Sequence, residues 1–228
     1  MSRIVFTTLV MFAALVGRVQ AAEGLSGRVE GDTYFSANGA YRIEIPVLAE
    51  LGGTVTDTQD VATFEDAYST HITIAAFAED PTQRWQLSTR GLKDYLIYFF
   101  TEFVMRDFKN VFKDARMAST GRFVPTLYDG SLITYVLLPG GSMFSSRFPV
   151  IDPDRKPPVA KRGNLLFLKN GYIFVVSIEL AERVTEGSAY SKTSDEEDVI
   201  LRDRLIEIAN RIQFLNLAPG TPAVKSTP

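Results

Sequence analysis

Residues Gly91–Phe112 read GLKDYLIYFFTEFVMRDFKNVF. Leu92, Leu96, Phe99 and Phe103 recur at i, i+4, i+7 and i+11, so they line one face of an α-helix, with Tyr95 at its edge. Past Arg106 the apolar side turns, because Val104, Phe108, Val111 and Phe112 lie well to one side of the first stripe. A helix with both stripes needs cover from more than one direction, or else a bend or an end near Arg106–Asp107. The longest uncharged run, Tyr95–Thr101, is far short of the ~20 residues a membrane span needs. The ordinary reading is a core helix lying on a sheet. The sharper one is an aromatic patch left partly exposed for a lipid or a partner.

Upstream of the helix, Met1–Ala22 has the pattern of a secretory signal peptide. Arg3 leads an apolar run, Ile4–Gly17, and Val19-Gln20-Ala21 ends in small residues suited to cleavage. The expected organisation is a leader over 1–22, one domain over 23–216 and a disordered tail over 217–228. Removing Arg3 and Arg18 from the 24 basic groups leaves 22 against 27 acidic ones, a net of −5. That balance gives no electrostatic reason to expect nucleic acid. With no cysteine, the chain has no disulfide, thiolate nucleophile or thiolate metal site. The reading is therefore an exported protein, periplasmic or secreted, with no transmembrane segment in the mature chain.

Asp32–Pro46 reads as a hairpin in which Asn38-Gly39 forms a type I′ turn and Tyr34, Tyr41, Ile43 and Ile45 share a face. Leu51–Asp60 reads as a loop, and Val61–Glu65 with Thr70–Ala78 as a pair of strands. Ser88 or Thr89 is the candidate N-cap of the long helix. Beyond that helix, Ala115–Val124 and Ser131–Leu138 are expected strands, and Gly140–Pro158 is a long irregular segment rich in proline. The strongest hairpin signal is Asn164–Leu180 around Asn170-Gly171, placing Lys169 against Tyr172 and Phe167 against Phe174. Ser194-Asp195-Glu196-Glu197 fits a capping box that opens a helix striped by Leu201, Leu205, Ile208 and Ile212. Ile212–Leu215 is a candidate short last strand.

These elements make an α+β domain: a central, mostly antiparallel β-sheet covered by a long aromatic-rich helix and a C-terminal amphipathic helix. The leader, GAYRIEIP, STHITIAAFAED before a long helix, GNLLFLKNGYIFVVSIEL and a C-terminal helix ending in RIQF together resemble the PsbP/Mog-type fold family. The resemblance covers about Thr33–Leu215 and is a pattern of elements. It implies a central antiparallel sheet flanked by helices, and members that mostly bind proteins rather than catalyse. No family motif matches residue for residue, so no functional residue carries over, and Gly140–Pro158 has no counterpart.

His71 is the only histidine, and no G-x-S-x-G, S-x-x-K or HExxH occurs. Its strand parity sets it opposite Ile72 and Ile74, facing solvent or a covering helix. Asp152 with Asp154, or Asp57 with Asp60, is too few ligands for calcium. The acids at Asp195–Asp198 suit a helix N-terminus. The densest basic cluster borders the proline-rich segment, so the candidate binding loop comprises Asp152, Asp154, Arg155, Lys156, Lys161 and Arg162. The leading expectation is a non-enzymatic exported protein that binds a protein partner or assists envelope assembly, through that loop or an exposed part of the aromatic helix. A carrier of a small apolar ligand and a hydrolase with dispersed carboxylates are the alternatives. No cofactor or metal is expected.

Overall fold

The computed structural model describes residues 20–21, 24–145 and 157–215. Its large sheet grows from the turn at Asn170-Gly171, where both residues take positive φ, 51° and 77°, as a two-residue type I′ turn requires. β11 (Val159–Lys169) and β12 (Tyr172–Glu179) therefore pair with Lys169 opposite Tyr172 and Phe167 opposite Phe174. β11 starts at Val159, earlier than the Asn164 expected. β10 (Ser131–Pro139) lies beside β11, and β7 (His71–Ala78), β6 (Val61–Glu65) and β5 (Thr54–Asp57) follow in turn beyond β12. β5 occupies part of the stretch read as a loop. Ala115–Val124 forms two short strands, β8 (Arg116–Met117) and β9 (Arg122–Val124), each paired with β10. β1 (Gln20–Ala21) runs parallel to β5, and the other pairings among the described residues are antiparallel.

The first hairpin does not join this sheet. β3 (Thr33–Phe35) and β4 (Tyr41–Glu44) combine with β2 (Arg28–Glu30) and β13 (Gln213–Phe214) into a separate sheet. Its turn also differs from the type I′ expectation, because Gly39 has positive φ (71°) and Asn38 does not. The Asn38 side chain accepts from Ala40 N and donates to Ala76 O, tying the turn to β7. Tyr34, Tyr41, Ile43 and Ile45 face inward as expected, against Phe64, Phe167 and Phe174.

α4 (Glu182–Thr185) leads to α5 (Ser194–Arg211), which covers the same face through Leu201, Leu205 and Ile208. A Cβ on Gly163 of β11 would lie 3.0–3.1 Å from Leu205 and Leu201, so glycine lets the helix lie close to the strand. The capping box sits one residue earlier than read: Thr193 is the N-cap and Glu196 its partner.

The long helix covers the opposite face. It is preceded by α1 (Pro81–Arg90), which Asp80 caps, while Ser88 and Thr89 bond back to the Trp85 carbonyl instead of capping anything. Gly91 (φ 76°) divides α1 from α2 (Leu92–Phe99), and a π turn over Phe100–Val104 joins α2 to α3 (Met105–Val111). The π turn is why the apolar stripe shifts, and it does so earlier than Arg106. Phe100 and Met105, five residues apart, are both buried, and a π turn brings residues at that spacing to one side. Phe103, assigned by periodicity to the core stripe, is 42% exposed. Among the described residues no helix is long and apolar enough to cross a membrane. Residues 1–19, the tail over 217–228 and the loop residues Asp152, Asp154, Arg155 and Lys156 lie outside the described residues.

Candidate functional site

Opposed residues of antiparallel strands share a face, so strand register divides the surface beneath the long helix into rows. The row Leu166, Val175, Ala75, Val61 is apolar throughout. Two residues further along each strand the row is Thr134, Asn164, Ser177, Thr73, Thr63 and Thr56, polar on six consecutive strands. Two further along again, Arg162 pairs with Glu179 and His71 with Glu65. The face therefore grades from oily to polar to charged along the strands.

The π turn does not seal this face. On one flank a groove of about 310 Å³ runs over the graded rows, between Val61, Thr73, Phe77 and Ser177 of the sheet and Phe99 and Phe103 of the helix, with Arg162 at its polar end. On the other flank a groove of about 430 Å³ is lined by Ile97, Phe100, Met105, Met117, Leu132 and Thr134. Phe103 stacks on Phe99 at 4.8 Å and meets Tyr98 edge-on at 6.1 Å, so it stands at the rim of the first groove as a fixed aromatic wall. Beneath the helix the polar row holds atoms without hydrogen-bond partners, Thr134 Oγ1 and Asn164 Nδ2, and Arg162 Nε in the next row is also unpartnered. Orphaned buried polar atoms are uncommon and call for a reason.

Lys161 and Arg162 lie on β11 rather than on a loop, which corrects the sequence reading. They point to opposite faces. Lys161 is fully buried on the α5 side, its Nζ 3.0 Å from Glu197 and 2.6 Å from Asp198 and bonded to Ser194. Glu197 also binds Arg183. The acids read as helix-terminus decoration are thus partly a counter-charge for a buried lysine. Arg162 reaches Glu179 at only 3.4 Å with 11% side-chain exposure, and burial lowers its pKa against the opposing pull of Glu179. Glu179 also accepts from Ser142 Oγ and Met143 N.

His71 is buried, with its pKa pushed down to about 3, first by burial and then by the Arg162 charge. It is neutral at any ordinary pH. Asp57, weighed as a calcium ligand, accepts from Ser26 N, Gly27 N and Tyr34 Oη and clamps the small sheet to the large one. The row of threonines and serine was visible as single polar residues at alternate strand positions. Only the register reveals that they align.

No family model matches the chain, and no curated protein matches it. Among solved structures, the chain is similar to the Ran-binding protein Mog1p of Saccharomyces cerevisiae. The TM-score is 0.47 at 10% identity, over 82% of this chain and 96% of that one.

Proposed function

We propose that this chain is an exported, non-enzymatic binding protein that docks a protein partner on the face built around the π turn. One observation carries the reading: the long helix is flanked by two open apolar grooves and carries exposed Ile97, Phe103 and Val111. Met117, also exposed, borders the second groove beside Ile97. Exposed apolar side chains beside open grooves suit the inserted side chains of a partner. The leader pattern supports export, and the neutral, buried His71 supports a role other than proton transfer.

A photo-crosslinking side chain at position 103 of the full chain should form a discrete adduct in the native envelope fraction, whereas the same probe at Val199 on α5 should not. Adducts at 199 but not at 103 would refute the placement. Export predicts a mature N-terminus near residue 22 in the fractionated protein; an intact leader on cytosolic protein would refute it. The first groove specifically favours a second reading, a carrier of a small apolar ligand, because it combines a mostly apolar lining with Arg162 at one end.

A further inference from the structure

We infer that the groove between the π turn and strands β7 and β12 is a site for a medium-chain carboxylate, its acyl chain on the apolar row and its head at Arg162. This rests on the carrier reading above and assigns the ligand its chemistry. The volume of about 310 Å³ falls at the small end of the usual range for ligand sites. Val61, Ala75 and Val175 form the floor, and Phe77, Phe99 and Phe103 the wall, which suits a saturated chain.

The polar end selects the head. Its unpartnered nitrogen, Arg162 Nε, is a donor. Among the described residues the one hydrogen bond of the Arg162 guanidinium is the long contact to Glu179. Glu179 is already held by Ser142 and Met143, so it does not claim the remaining guanidinium donors. His71 is uncharged, and Asp107, the other acid at the groove, is exposed at its rim. A head offering acceptors fits these unclaimed donors, and a planar carboxylate matches the guanidinium fork. A hydroxyl offers less, and a quaternary ammonium would meet a like charge.

The test is calorimetric titration of the full chain with octanoate, 1-octanol and octyltrimethylammonium. Octanoate should bind at least about tenfold more tightly than the alcohol, the factor expected for a charge-assisted pair over a neutral one, and the ammonium should not bind. Arg162→Met should remove the preference while leaving alcohol binding intact. Phe103→Ala should weaken both. Equal binding of octanoate and octanol by the unaltered chain would overturn the head assignment and leave the carrier reading standing. Binding of neither would overturn both and leave the protein-docking reading. The comparison within the unaltered chain needs no variant to fold.

Discussion

Lys161 and Arg162 are neighbours in sequence on opposite sides of one strand, and their surroundings differ as the two faces of the sheet do. Around Lys161 two carboxylates and two oxygens of Ser194 surround one ammonium. Six residues further along the same face of β11, Phe167 stacks on Phe174 at 5.2 Å and on Tyr128 at 4.3 Å, and Phe214 closes the cluster edge-on. Around Arg162 the guanidinium has one long carboxylate partner, the Phe108 ring 6.0 Å away and an orphaned nitrogen, and the adjoining helix leaves a groove on each flank. Between α5 and the sheet the side chains pack as a core, with a polar cleft of about 220 Å³ beside Glu182, Arg204 and Arg211 and an open hollow of about 350 Å³ beside Val199. The π-turn face is left incomplete, and side chains in an incompletely packed, partly charged surface are available to a partner in a way that core side chains are not.

Mutations on the two faces should therefore separate stability from binding. The largest effect is expected for Phe174→Ala, which empties the centre of the aromatic stack and should cost about 4 kcal/mol in denaturant unfolding. Lys161→Met should cost about 3 kcal/mol, because it leaves Glu197 and Asp198 without their buried counter-charge; an unchanged midpoint would mean the cluster is solvated.

His71 supplies a test from the other face. Its folded pKa of about 3 lies below the unfolded value of about 6.5, so between these values the unfolded chain binds the extra proton. Stability from this residue is complete above about pH 6.5 and is lost as pH falls toward 3. The stability difference between the unaltered chain and His71→Asn should shrink across that window. Thr193→Ala should cost about 1 kcal/mol through the lost N-cap of α5. Phe103→Ala, at a half-exposed rim, should cost about 0.5 kcal/mol or less while reducing binding. A Phe103 variant as destabilised as the Phe174 one would erase the distinction between the faces.

Much of the fold was legible in the sequence because its signals are local. Asn170-Gly171 fixes a turn, and with it the register of β11 and β12; the spacing of Leu201, Leu205 and Ile208 fixes the buried side of α5. What escaped depends on distant pairing or on backbone departures. Nothing local to DTYFSANGAYRIEIP says that this hairpin pairs with β13 rather than with the large sheet. The π turn defeats a 3.6-residue periodicity, so Phe103 was assigned to the core and stands at a rim. The candidate site was half legible: Arg162 was singled out for its charge, but as part of a loop, since a basic pair beside prolines looks like surface. The aligned row from Thr134 to Thr56 was invisible until six strands were in register.

The central claim, that partners bind the π-turn face and leave the α5 face alone, is tested most directly by one matched pair. Phe103 and Val199 are similarly exposed, 42% and 46%, on opposite sides of the molecule. Each is changed to aspartate in the full tagged chain, and the fraction of a partner retained from a native cell extract is measured relative to the unaltered protein. The account predicts that Phe103→Asp loses the partner and Val199→Asp keeps it. Retention by Phe103→Asp together with loss by Val199→Asp would contradict it.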